Sequence, residues 1–273
     1  MKILIVLVLV AFLVVLFHTR NRRIPKILWS YWHDDTQPEI VQKCVESWRK
    51  YNPDWEINVL SDATVEYYLP DFNHALFNGS LKQYKSDLIR LMIVERYGGV
   101  WSDATVAVRE SYDWITDRRE EFVGYYREAM KNESGYPIIE SFLYGAPPGC
   151  EFVSRWRQEF EIASEMGNDR YVERDDVDSS GIHDQGYLAV YVAAQVVLQH
   201  YYTWYDIAHR FYLRKVEDGP YKHAASANWN NVDSLKWICE RKPEELPPII
   251  KMYKEQRQAI DDSNLHCVYK MFN

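Results

Sequence analysis

The chain of 273 residues has no excess of basic charge: 40 Asp and Glu against 32 Lys and Arg give a formal net charge of −8. Nucleic-acid binders draw most of their affinity from clustered Lys and Arg, so that class of partner is excluded. Cysteine is scarce. Cys44, Cys150, Cys239 and Cys267 form neither a CxxC pair nor a Cys/His zinc spacing, and four are too few for a disulfide scaffold. They are expected to be reduced or simply packed. Internal repeats and low-complexity tracts are also missing, which excludes solenoids and linker-like segments.

Long apolar runs are confined to the first segment, Ile3 to Phe17. As a helix it would span roughly 22 Å, short for a full crossing. The residues after it, His18-Thr19-Arg20-Asn21-Arg22-Arg23, offer no small-residue cleavage site, so an uncleaved anchor is favoured over a signal peptide. Arg20, Arg22, Arg23 and Lys26 outnumber the charges on the other flank, which slightly favours a cytoplasmic domain over the secretory lumen. Asn78-Gly79-Ser80 and Asn132-Glu133-Ser134 are glycosylation acceptor triplets and point the other way. The expected organisation is an anchor and basic linker, 1–23, followed by a single domain, 24–273.

What the chain does hold is hydrophobic (47%) and aromatic (15%) residues enough for a sizeable core. Lys26 to Trp32 reads as a strand. Apolar Ile40, Val41, Cys44, Val45, Trp48 and Tyr51 follow at helical spacing, Asn52-Pro53-Asp54 breaks the helix, and Trp55 to Leu60 reads as a second strand. A short helical stretch is expected from Asp62. Leu81 to Tyr97 forms a strong helix stopped by Gly98-Gly99, and strand Val100-Trp101 emerges at once. Polar Ser102-Asp103-Ala104-Thr105 interrupts it before Val106-Ala107-Val108. Further strands are expected near Phe122 to Tyr126 and Phe142 to Gly145, and helices from about Glu151 and Asp184. Alternating strands and helices imply an α/β fold with a parallel sheet.

Asp103 lies where a strand meets a polar loop, and open α/β sheets place ligand sites at the carboxyl ends of strands. A turn Asp bonded to its own backbone is the ordinary alternative. Asp87 and Arg90 lie three apart on one helix face. Such a pair is ordinarily a surface ion pair of little worth, but this helix runs directly into the strand that carries Asp103.

Ser86-Asp87-Leu88-Ile89-Arg90 and Tyr97-Gly98-Gly99-Val100-Trp101-Ser102-Asp103-Ala104-Thr105 resemble the S-D-x-x-R…Y-G-G-[VI]-[WY]-x-D signature. That signature marks the capsular-polysaccharide-synthesis-like and family 32 glycosyltransferases, with the glucosylating bacterial toxins as distant relatives. Ile24-Pro25-Lys26-Ile27-Leu28-Trp29-Ser30-Tyr31-Trp32 is similar to their first strand, and Cys44…Ser47-Trp48…Asn52-Pro53-Asp54-Trp55 to their next helix and turn. The likeness runs from Ile24 to about Val108.

The resemblance implies a GT-A-type fold, a Rossmann-like mixed sheet flanked by helices. It implies transfer of a sugar from a nucleoside-diphosphate sugar, UDP first, to a glycan hydroxyl, with retention slightly favoured. Trp32 would stack on the base, with Ser30 beside it, and Ser86 would contact the nucleoside. Asp87 and Arg90 would hold sugar hydroxyls, and Asp103 would bind the metal, Mn²⁺ or Mg²⁺, and the diphosphate. Many relatives carry D-x-D, whereas Thr105 here brings only a neutral oxygen. His223 is the candidate to complete the metal site. Tyr221 to Trp229 resembles the family's closing segment and suggests Ser226 and Trp229 for the donor. Asp184 or His183 would serve as base if configuration inverts; if it is retained, no separate base is required. Asp184 at a helix start also has a purely electrostatic explanation. A non-catalytic relative that only binds nucleotide sugar or glycan is the alternative.

Overall fold

The computed structural model describes residues 23–272. Nearly all of the expected anchor therefore lies outside the described residues, and among those described no helix is long and apolar enough to cross a membrane.

Six strands form a mixed sheet in the order β2-β1-β3-β6-β5-β7: β1 (Ile27–Tyr31), β2 (Glu56–Leu60), β3 (Gly99–Ser102), β5 (Phe122–Tyr126), β6 (Ile139–Ala146) and β7 (Phe211–Lys215). β1 runs parallel to both neighbours, with Leu28 opposite Ile57 on one side and Val100 on the other. β6 is antiparallel to β3 and β5. A two-stranded sheet pairs β4 (Val106–Val108) antiparallel with β8 (Ile249–Lys251) and puts Lys251 opposite Val106.

Alternation along β1 and β3 divides the core into two layers. Trp29 and Trp101 enter one apolar cluster with Leu88, Leu91, Phe152 and Trp156. Leu28 and Val100 enter the other, with Val41, Trp48 and Leu235. Helices α1 (Glu39–Tyr51), α2 (Lys82–Tyr97), α3 (Glu151–Met166) and α4 (Ala189–Tyr201) supply the long segments. The short helices α5 (Lys222–Ser226), α6 (Asn231–Cys239) and α7 (Lys254–Asp262) close the C-terminal side.

The passage from α2 to β3 depends on two glycines. Gly98 and Gly99 have φ of +66° and +97°, the left-handed region that side chains disfavour. A Cβ on Gly99 would also come within 2.5 Å of the Ile27 carbonyl oxygen. The chain can therefore leave the helix and join the sheet beside β1 with no connecting loop, which holds Asp87 and Arg90 close to the end of β3.

Two expectations need correction. Cys239 and Cys267 form a disulfide joining α6 to the C-terminal turn, while Cys44 and Cys150 are free and buried as expected. The helix expected from Asp184 starts only at Ala189: Asp184 has φ +50°, and a turn precedes the apolar run that can bury a helix.

Candidate functional site

The order β2-β1-β3 makes β1 the point at which successive connections leave to opposite sides, and such a switch point opens a crevice at the carboxyl ends of the strands. Trp32 follows β1 there and Asp103 follows β3. Asp103 is fixed by its backbone, whose N–H donates to the Phe142 carbonyl at 2.8 Å.

Its side chain is surrounded by cations and donors. Oδ1 accepts from Trp101 Nε1 at 2.9 Å and lies 3.1 Å from Arg90 Nη2. Oδ2 accepts from Lys251 Nζ at 2.8 Å, and the same ammonium donates to Thr105 Oγ1 at 2.9 Å. The Thr105 hydroxyl in turn donates to the Met252 carbonyl at 3.0 Å. Burial by itself would raise the Asp103 pKa, but Arg90 and Lys251 hold it below the ordinary carboxylate value.

Arg90 ties this carboxylate to the helix. Its Nη2 is 3.0 Å from Asp87 Oδ1 and donates to Ser86 Oγ at 3.4 Å, while Nη1 donates to the Ser141 carbonyl at 3.0 Å. Asp87 is buried, and burial pushes its pKa up to about 7 against the pull of Arg90, with Asp103 adding to the rise. Arg257 on α7 lies close enough to feel Asp103 and donates to the Met252 carbonyl at 3.3 Å. Two cations, Arg90 and Lys251, thus contact the carboxylates, with Arg257 and Glu255 of α7 further out. Cationic donors gathered at the carboxyl ends of the strands suit an anionic ligand.

At the β1 end, Ser30 Oγ and Trp32 Nε1 are both buried without a partner. They lie two residues apart, hence on the same side of the strand. Buried polar atoms are ordinarily satisfied, and this adjacent pair is consistent with groups awaiting a ligand.

The remaining sequence candidates make no contact with this charge cluster among the hydrogen bonds and ion pairs of the described residues. His183 and Asp184 are exposed in the turn before α4. That turn packs on α2, where Tyr84 donates its hydroxyl to the Gly186 carbonyl at 3.3 Å one helical turn before Asp87. Ser226 is exposed at the end of α5. Trp229 stands at the surface with φ +62°, its ring 5.2 Å from the Arg127 guanidinium.

Among the described residues no hydrogen bond or ion pair links His223 to Asp103 or Thr105. The ring is fully buried with Nε2 3.4 Å from Gln256 Oε1, and burial lowers its pKa to about 4. Among the described residues no group of three or more His, Cys, Asp or Glu is placed to hold a metal ion. The residue that sequence reasoning missed is Lys251. Its signal was a lysine ending a short apolar strand, which means nothing until the strand is paired with β4.

The family model for capsular polysaccharide synthesis proteins matches residues 16–168, more than half of the chain. The chain belongs to that family. Among curated relatives, an O-glycosyltransferase of Annulohypoxylon truncatum is 27% identical over 155 residues, 50% of this chain and 37% of that protein. Inositol phosphoceramide mannosyltransferase 1 of Schizosaccharomyces pombe is 26% identical over 138 residues, 45% of this chain and 42% of that protein. The match therefore spans well under half the length of these family relatives. Among solved structures, the glycosyltransferase domain of the YGT toxin aligns with a TM-score of 0.44 at 10% identity, covering 90% of each chain. Likeness at that level adds nothing to the family assignment.

Proposed function

We propose that the protein is a glycosyltransferase of GT-A type that moves a sugar from a nucleoside-diphosphate sugar, UDP first, to a hydroxyl of a glycan acceptor. One observation carries the reading: Ser86, Asp87, Arg90 and Asp103 of the family signature converge in a single, partly buried polar cluster at the strand switch point. Sugar hydroxyls need both acceptors and donors, which the Asp87–Arg90 pair offers, and the lysine-lined side suits a diphosphate. The relatives named as an O-glycosyltransferase and a mannosyltransferase support the class of reaction. Retention is slightly favoured from the family resemblance, and a retaining course requires no separate base. The test is a panel of UDP- and GDP-sugars scored for release of free nucleotide. Turnover of one donor is the expected result; binding of nucleotide with no release from any donor, with or without added glycans, would leave a binding protein instead.

The compartment is proposed from a different observation. Disulfides persist in oxidising compartments, so Cys239–Cys267 favours a domain on the lumenal side over the cytoplasmic one that the flanking charges suggest. Of the two acceptor triplets, Asn78 is exposed, whereas the Asn132 amide donates to Asp178 and Gln195 and is buried. A glycosidase-sensitive mobility shift abolished by Asn78→Gln is expected. A protein carrying no glycan, with both cysteines accessible to thiol reagents in cell extracts, would place the domain in the cytosol.

A further inference from the structure

The resemblance asks for a divalent cation at Asp103, and the donor set there does not fit one. Divalent Mg²⁺ and Mn²⁺ take oxygen ligands whose negative charge offsets their own. Here one carboxylate oxygen accepts from Trp101 and faces Arg90, and the other accepts from Lys251. Thr105 Oγ1 is committed to Lys251 and to the Met252 carbonyl. An ion bridging Asp103 and Thr105 would have to occupy the space of the Lys251 nitrogen, with two arginines close by.

Lys251 is placed there by the fold. β8 pairs with β4, Lys251 lies opposite Val106, and its backbone N–H donates to the Pro220 carbonyl at 3.0 Å. Its ammonium is a compact charge on a flexible stem, able to turn from Asp103 towards an arriving phosphate.

We propose that the Lys251 ammonium takes the place of the divalent cation, binding the donor's diphosphate and stabilising the charge that grows on it, so that transfer needs no metal ion. The inference rests on the glycosyltransferase reading above. In the step it serves, the bond between the anomeric carbon and the diphosphate oxygen breaks and its electron pair stays on the diphosphate. The acceptor hydroxyl oxygen forms the new bond to that carbon, and its proton passes, in the retaining course, to the departing diphosphate. Lys251 stabilises the leaving anion without being consumed. Burial lowers the Lys251 pKa and Asp103 opposes this; a bound diphosphate adds negative charge and favours the ammonium further.

Calorimetry on the full-length chain in detergent tests this with UDP, and GDP in parallel, in EDTA and then in excess Mn²⁺. The nucleotide should bind in EDTA with an affinity within about threefold of that in Mn²⁺. A charge-assisted contact of ordinary strength predicts that Lys251→Met weakens diphosphate binding roughly 10- to 100-fold in EDTA. The same substitution should leave uridine or guanosine binding nearly unchanged, a difference that mere loss of packing would not produce, and Lys251→Arg should restore part of the loss. Nucleotide that binds only when Mn²⁺ is present overturns the inference and leaves the glycosyltransferase reading standing, and this comparison needs no variant to fold. Binding of neither nucleotide under either condition overturns both.

Discussion

Asp87 and Asp103 flank the same nitrogen of Arg90, at 3.0 and 3.1 Å, yet the two walls of the site treat negative charge in opposite ways. On the α2 wall Asp87 contacts Arg90, with Lys251 acting only at a distance, and burial raises its pKa to about 7. On the β3–β8 wall Asp103 shares Arg90 but also has Lys251 and the Trp101 indole, and it stays ionised. Burial acts on both. The number of donors decides which carboxylate keeps its charge, and so which wall suits neutral hydroxyls and which suits phosphate.

Removing the charge of Asp103 should have the largest effect. Asp103→Asn leaves Lys251 and Arg90 buried with less compensation, which for a broken buried pair costs about 3–5 kcal/mol. Donor turnover should fall by about 10²–10³-fold, on the scale of losing preorganised electrostatic stabilisation. Thermal unfolding and nucleotide release on one sample check both parts. Release within tenfold of the parent would show that the β3–β8 wall is structural.

Asp87 offers a smaller effect with a distinctive pH dependence. Its folded pKa is raised, so the native state holds a proton that the unfolded chain has released above about 4. Stability from this group is present below that value and is lost as pH rises through about 7. At about 1.4 kcal/mol per pH unit the loss reaches at most ~4 kcal/mol. Asp103 runs the other way: its folded pKa is lowered, and its contribution is lost only as pH falls through that lowered value. Asp87→Asn should therefore flatten the stability profile between about pH 4 and 7 while leaving the acid limb in place. An unchanged slope in that window would mean that Asp87 is ionised throughout.

The two walls also differ in how far they could be read from sequence. Asp87, Arg90, Gly98, Gly99 and Asp103 are close along the chain, and helix period, glycine stop and strand end are all local signals, so α2 and β3 fall within a residue or so of expectation. Lys251 lies 148 positions from Asp103, on a strand of three residues whose only meaning is its partner. Pairing of that kind has no local signature. The Cys239–Cys267 link was hidden for the same reason, its spacing of 28 matching no motif. His223 is a different case: a polar residue in a segment resembling the family's closing segment reads as available, but α5 turns it inward against Gln256.

The smallest of the expected effects concerns the β1 end of the crevice. Trp32 follows β1 with its ring half-buried and its indole nitrogen unpartnered, beside the unpartnered hydroxyl of Ser30. An aromatic face there suits a planar base, and such stacking is worth about 1–3 kcal/mol by truncation. Trp32 also packs against the cluster that contains Leu28 and Trp48, so Trp32→Ala removes core contacts as well. Trp32→Phe keeps a ring while removing the indole N–H, and separates the two losses. If the ring holds the base, Trp32→Ala should weaken uridine and UDP by the same factor, and Trp32→Phe should recover most of it. The pattern is opposite to that at Lys251, where the diphosphate suffers and the nucleoside does not. Equal UDP affinity in Trp32→Ala and the parent would remove Trp32 from the site, and the base would then have to lie elsewhere along the crevice.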